Sequence, residues 1–416
     1  MIDCHCASQT SPLPGNSTRT PQFMLLTHDD STAALSTSLF AEAVGATKNP
    51  NGCTLPVTYF TMEGGSDCDV IKQRWQAGDE IAGHSITHQP MDSKFANTEK
   101  EIIGTRQWLI NTCGIPAEDV VGWRSPYLVN NPTHRQSLVK GGYKYDSTIN
   151  EHWPDQRLTN SEPETVSPNG ANRLWPYTMD YGIAQNCQWT GNVCNPDEKY
   201  PGLWEIPVWN IQTDNYPDNA YALDPCSTDI PYTAGTKTPL PCDIFTLLKD
   251  NFDKAYSGNR APVPLFFHSP WLSQPNTMKA LQKFIAYATE KKDVYFVTMR
   301  QLMEWMQNPV DVDQIGSWLG CDVPGGKAAK GVASAFSAPA PAPLLAEVPA
   351  VVVPPAPSPT LVVPPKAAIA PATTIVTVQP AGKLEGAAVS SSASVVSNLA
   401  AGFAGAILSW CLFDSI

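Results

Sequence analysis

Four short apolar runs in this chain each end in side chains that can do chemistry. Phe23-Met24-Leu25-Leu26 runs into Thr27-His28-Asp29-Asp30. Glu80-Ile81-Ala82 leads into Gly83-His84-Ser85-Ile86-Thr87-His88. Val120-Val121-Gly122-Trp123 delivers Arg124-Ser125-Pro126-Tyr127, and Val263 to Phe267 ends at His268. Short continuous apolar runs suit strands buried on both faces, as in a parallel sheet. Further strands are expected at Val57 to Phe60, Tyr145 to Ile149, Trp204 to Trp209 and Val294 to Val297. Helical patterns fall between the strands, so the class is α/β. Four polar clusters at four strand ends look like one mouth of a distorted (β/α) barrel of seven or eight strands.

The helices have readable ends. Ala33 to Val44 is one, and Val70, Ile71, Arg74 and Trp75 mark a second that stops near Gly78. Thr98 opens the clearest, with Glu101 three residues on as a capping-box pattern. Gly114 stops it, with Pro116 just beyond. Pro132 to Lys140 ends at Gly141-Gly142, Asp243 caps the next, and Met278 to Lys291 and Leu302 to Met306 close the pattern. Residues 150 to 240 are irregular and rich in Pro, Asn, Trp and Tyr. A loop tract this long in a compact domain is usually functional or pinned by disulfides.

Acidic residues outnumber basic ones, 39 to 27, for a net charge of −12. That argues against nucleic acid or another phosphate-rich partner and leaves a neutral sugar polymer open. Of the eleven cysteines, ten fall in the first 321 residues and lack the close pairs of a zinc ribbon. Cys4 and Cys6 read as half-cystines rather than a metal clip, so the expected compartment is oxidising. Asn16-Ser17-Thr18, a glycosylation pattern, agrees. No apolar signal segment precedes Cys4, which we read as truncation of a secreted protein.

The expected domains are a cysteine-bearing arm over 1–21, the barrel over 22–321, a Pro/Ala/Ser-rich linker over 322–393 and a hydrophobic anchor signal over 394–416. The linker extends as a semi-rigid spacer. Val395 to Phe413 is apolar over a membrane-spanning length and follows Ser390, Ser391 and Ser392, the outline of a GPI-attachment signal. A transmembrane anchor is the alternative.

His84 and His88 stand four residues apart, which puts both imidazoles on one side of a helical turn or of a tight loop. Neutral imidazole is a common zinc ligand, although a His pair alone is more often an ordinary helix face. The other three clusters change the reading. T-H-D-D, H-S-I-T-H, R-S-P-Y and L-F-F-H occur in one order. In this the chain resembles the polysaccharide deacetylases of carbohydrate esterase family four, the NodB-homology group, and within it the chitin deacetylase-like branch. Lys48 to Cys53, Leu174 to Tyr177, Leu203 to Pro207 and Asn259 to Pro262 also fit that branch. The resemblance covers roughly residues 22 to 310.

The resemblance implies a role for each motif residue. Asp30, His84 and His88 are the implied metal ligands, with zinc as the default; three protein ligands leave a position open, as in catalytic sites. Asp29 is the implied general base, oriented by Arg124. The backbone N–H of Tyr127 serves the oxyanion, and His268 is the general acid for the departing amine. An aspartate should orient His268; Asp146 and Asp214 are the candidates, with Asp214 preferred. Taken singly, each of these residues has a plain structural use, as a helix cap, a surface ion pair or a core histidine.

His28 stands where the family usually has Phe. It could add a ligand, perturb Asp29 or turn into the barrel. Trp123, Trp153, Trp209 and Trp271 flank the motifs and could stack on sugar rings or pack the core. His5, His134 and His152 match no motif and are read as surface or structural. The implied function is metal-dependent N-deacetylation of chitin or a related N-acetylglucosamine polymer. The rivals are an O-acetyl esterase on a wall polysaccharide such as xylan and a catalytically idle chitin-binding matrix protein.

Overall fold

The computed structural model describes residues 5–151, 171–227 and 242–320, apart from positions 14, 16, 186, 188–191, 196 and 214–215. The linker and anchor expected beyond 321 lie outside the described residues. Among the described residues no helix is long and apolar enough to cross a membrane.

The centre is a mixed α/β sheet. Strand β1 (Gln22–Asp30) is followed by α1 (Ala34–Val44), β2 (Val57–Thr61), α2 (Cys68–Gln76) and β3 (Glu80–Gly83). Then come α3 (Thr98–Asn111), β4 (Gly122–Trp123), α4 (Pro132–Gly141), β5 (Tyr145–Asp146) and β6 (Asn150–Glu151). Five short strands follow: β7 (Tyr177–Thr178), β8 (Trp204–Glu205), β9 (Val208–Trp209), β10 (Ile211–Thr213) and β11 (Tyr216–Tyr221). The chain closes with α5 (Ile244–Ser257), β12 (Val263–Phe267), α6 (Ser269–Leu272), α7 (Pro275–Thr289), β13 (Val294–Phe296), α8 (Met299–Gln307) and α9 (Ile315–Leu319).

Eight strands lie side by side in the order β12-β1-β2-β3-β4-β5-β8-β7, all parallel except β7. Met24 pairs with Val263 on one edge of β1 and with Phe296 on the other, so β13 and β2 share one edge of β1 end to end. The sheet curls. β4 lies four strands from β12, on the order of 19 Å in a flat sheet. Yet the Arg124 guanidinium, just after β4, sits 3.8 Å from the Phe266 ring on β12. β9 lies beside β12 across the seam, where no strand ladder joins the two among the described residues.

The strands that carry this curl are buried on both faces, which is why they read as apolar runs. Phe23 to Leu26, Tyr59, Phe60 and Val263 to Phe267 all sit in the core, with Leu39, Phe40, Phe252, Leu281 and Phe284 contributed by helices. Helix ends follow local chemistry. Asn131 accepts from the His134 N–H at 3.0 Å and Pro132 takes the first helical position of α4. Gly142, at φ 79°, ends that helix in the left-handed conformation.

The expected capping box on α3 does not form: Asn97 holds the cap position and Glu101 spends its carboxylate elsewhere. The expected strand over Trp204 to Trp209 breaks into β8 and β9, on either side of Ile206 and Pro207.

Three disulfides join Cys68 to Cys113, Cys187 to Cys194 and Cys226 to Cys242. Cys6 and Cys53 are also disulfide-bonded. The amino-terminal arm is held by backbone bonds as well. Trp175 N–H donates to Ser8 at 2.9 Å and Thr178 N–H to His5 at 2.8 Å.

Candidate active site

The motif residues meet at the carboxyl ends of β1, β3, β4 and β12. Asp29 and Asp30 close β1, and adjacent strand residues would normally face opposite ways. Asp30 has φ 86°, in the left-handed region, so the strand turns as it ends and both carboxylates come to one side of the barrel mouth. His84 follows β3 directly. The stretch from His84 to His88 is a tight loop, not a helical turn, with Ser85 at φ 81° and His88 at φ 55°.

Asp30 Oδ1 lies 3.0 Å from His88 Nε2 and 3.7 Å from His84 Nε2. One donor atom from each of the three residues falls within 4.8 Å of the other two, so the trio can hold a metal ion. Its chemistry suits one. The His84 Nδ1–H donates to the Arg124 carbonyl at 2.9 Å, which leaves Nε2 with its lone pair toward Asp30. Burial pushes His84 down to about 4, so it is a neutral imidazole at ordinary pH. Burial works against ionisation of Asp30, but the His88 hydrogen bond and the nearby His268 and His84 outweigh it. Its carboxyl is held well below the usual range.

Arg124 is fully buried between the rings of Phe60, at 4.5 Å, and Phe266, at 3.8 Å. Its Nη2 donates to the Ser147 hydroxyl at 2.9 Å. Its Nε stands 3.6 Å from Asp29 Oδ1, an oxygen that has no hydrogen-bond partner among the described residues. The guanidinium therefore sets the charge beside Asp29 without saturating it. Tyr127, at φ 57°, is 57% exposed, and its ring centroid lies 4.7 Å from that of His88.

His268 caps α6 and faces a carboxylate that the sequence reading missed. Asp224 Oδ2 accepts from His268 Nδ1–H at 2.7 Å, and Oδ1 accepts from the His268 backbone N–H at 2.8 Å. Burial would lower the imidazole's pKa. The Asp224 hydrogen bond and charge, helped by Asp29 and Asp30, instead raise it to about 9. Among the described residues Asp224 is the carboxylate that holds His268, and Asp146 is not. Asp146 is buried at the end of β5, bonded by the Thr148 hydroxyl and 3.8 Å from His134, and burial pushes it up to about 7. Asp214 lies outside the described residues.

Asp224 is brought to β12 by its own backbone N–H, which donates to Phe266 at 3.1 Å. Trp271 Nε1 donates to Pro225 at 2.9 Å and its ring stacks on Phe267 at 4.5 Å. The available signal was Leu223-Asp224-Pro225-Cys226, an acidic turn beside a half-cystine.

Those distances join a ligand trio, a carboxylate beside an arginine and a charged histidine at one mouth. No protein-family model matches the chain. It is 31% identical to chitin deacetylase 1 of Bombyx mori over 328 residues, 76% of this chain and 56% of that protein. It is 28% identical to chitin deacetylase 8 of Bombyx mori over 326 residues, 76% of this chain and 78% of that protein. The chain belongs to the NodB-type polysaccharide deacetylases, carbohydrate esterase family four. It thus spans little more than half the length of the first of these chitin deacetylase relatives. Among solved structures, a family 4 carbohydrate esterase from Streptomyces lividans in complex with acetate aligns at 16% identity and TM-score 0.33. That alignment covers 66% of this chain and 91% of the esterase.

Within this family-four chain, His28 does not turn into the barrel but toward α1, on the face of β1 opposite Asp29. Its ring sits in the barrel wall against Phe40 and Tyr59, with Nε2 3.0 Å from the Ser269 hydroxyl. Burial pushes it down to about 3, and it lies outside the ligand trio. Trp123, Trp209 and Trp271 are buried core residues, so none offers a face to a sugar, and Trp153 lies outside the described residues. His134 is a buried structural residue and His5 packs on Trp204, with ring centroids 4.7 Å apart; His152 lies outside the described residues.

Proposed function

We propose that the protein is a hydrolase that removes N-acetyl groups from chitin or a related N-acetylglucosamine polymer and releases acetate. The observation that carries this is the meeting of a buried base-and-arginine pair, Asp29 and Arg124, with a carboxylate-charged histidine, His268, around the trio Asp30, His84 and His88. The chitin deacetylases it resembles supply the substrate class.

Asp30, His84 and His88 would hold the ion, and zinc suits a donor set of two imidazoles and one carboxylate. When bound, such an ion polarises the acetyl carbonyl and acidifies water. Asp29 takes the proton from the attacking water, and Arg124 keeps its carboxylate aimed. The Tyr127 N–H donates to the oxygen of the tetrahedral centre. His268, protonated at neutral pH, gives its proton to the departing amine nitrogen, and Asp224 keeps it charged and oriented.

Disulfides fit an oxidising, extracellular setting. Residues 322–393 would act as a spacer, and attachment to the cell surface through the apolar run from Val395, by a GPI anchor, belongs to the same reading. The test is acetate release from N-acetylglucosamine oligomers with and without a chelator. Release that the chelator abolishes supports the proposal. Turnover on acetylated xylan alone would make the protein an O-acetyl esterase, and binding without turnover in metal-replete protein would make it an idle matrix protein.

A further inference from the structure

The backbone between His84 and His88 is strained at both Ser85 and His88, each in a region that non-glycine residues enter at a cost. Such a segment keeps one shape only when its surroundings hold it there. The brace comes from α3. Glu101, buried in the first turn, accepts on Oε2 from the Ile86 N–H at 2.8 Å and the Thr87 N–H at 2.9 Å. On Oε1 it accepts from the Thr87 hydroxyl at 2.8 Å. Within the loop, the Ser85 hydroxyl accepts from the His88 N–H at 2.9 Å. The helix presses close: a Cβ on Gly104 would stand 2.6 Å from Ile86 Cδ1. All three Glu101 bonds land on residues between the two histidines, so this one side chain sets how far apart and at what angle the imidazoles stand.

We propose that Glu101 is a positioning residue for metal binding, holding the His84–His88 loop in the shape that presents both imidazoles to Asp30. This rests on the reading of Asp30, His84 and His88 as metal ligands. Glu101 acts through the histidines. Without it, two partly buried N–H groups lose a charge-assisted acceptor and the loop is free to leave its strained conformation. The rings must then be reordered each time an ion binds, and affinity falls.

The test measures zinc affinity directly, by competition with a chromophoric chelator, on metal-stripped full-length protein. Glu101→Ala is expected to weaken binding by ~10–100-fold, the range seen when groups that orient metal ligands are lost. Glu101→Gln is expected to stay close to wild type, since its amide oxygen can accept both N–H groups and its NH2 can donate to the Thr87 hydroxyl. A merely structural glutamate would lower the melting temperature of the metal-free protein and leave the affinity of the folded protein unchanged. That result overturns the proposal. Equal weakening in Glu101→Gln overturns it too, by making charge rather than loop shape the cause. If Glu101→Ala does not fold, Thr87→Val removes one of the three bonds and is read in the same way, with a smaller loss expected. Wild-type protein that binds no zinc would sink the metal reading and this inference together; full binding by Glu101→Ala sinks this inference alone.

Discussion

Asp224 holds His268 with both carboxylate oxygens, one on the ring Nδ1–H at 2.7 Å and one on the backbone N–H at 2.8 Å. The first bond charges the imidazole and the second fixes where it stands. A general acid must be protonated before it acts, and His268, raised to about 9, is protonated at neutral pH. Its protonated fraction falls as pH rises through that value, so kcat should fall on the alkaline side near there. Asp224→Asn removes the negative charge and one of the two acceptor oxygens that raise the pKa, while burial, which lowers it, remains. The alkaline limb of kcat should then move to lower pH and activity at pH 8 should drop. Identical alkaline limbs in the two proteins would remove His268 from the role of acid.

Metal removal should abolish turnover and leave the barrel folded. The ligands come from β1 and the loop after β3, in a domain with its own core and three described disulfides, so the fold does not depend on the ion. His84→Ala should behave like chelation: no activity, an unchanged far-ultraviolet spectrum, and metal content near zero by elemental analysis. Full turnover after exhaustive chelation would end the metal mechanism.

What the sequence made legible follows from where the information lies. Phe23 to Leu26 and Val263 to Phe267 are legible as strands because both faces are buried, and their ends locate Asp29, Asp30 and His268. Asp224 was not legible, because it sits in a turn without periodicity and reaches β12 through one backbone bond to Phe266. Glu101 was misread as a cap for the same kind of reason. Its partners Ile86 and Thr87 lie behind it in the chain and meet it only once α3 has packed on the loop. Trp123 and Trp271 flank motifs in sequence but point into the core, a choice that the sequence of one strand end does not reveal.

Asp29→Asn separates base from ligand. Asp29 Oδ1 lies 3.6 Å from Arg124 Nε and the residue is outside the trio of Asp30, His84 and His88. The variant should therefore keep its metal and lose ~100-fold or more in kcat, the scale for a positioned general base. Loss of metal from Asp29→Asn would instead make this carboxylate a ligand.

Gly83, the residue before His84, tests how tightly the mouth is packed. A Cβ there would meet the Tyr143 hydroxyl at 2.6 Å and the Trp123 ring at 2.9 Å, and both are buried. Gly83→Ala should destabilise the protein by ~1–3 kcal/mol, the range for overpacking a filled core. It should also weaken metal binding by displacing His84. A melting curve that matches wild type would show that the ring of Trp123 yields more easily than a packed core allows.

The last expectation concerns the tail. The core already includes α8, and Ile315 of α9 is buried against it, while residues 327 to 393 have few charges, almost no aromatics and many prolines. Such a composition cannot bury a core of its own. A chain ending at Gly325, given a signal peptide, should therefore be secreted as soluble and fully active enzyme. The full-length protein should stay with the cell and come off with a phosphatidylinositol-specific phospholipase. Retention after that treatment would point to a transmembrane anchor instead. If the shortened chain is insoluble or inactive, the tail is part of the fold and the boundary near 321 is misplaced.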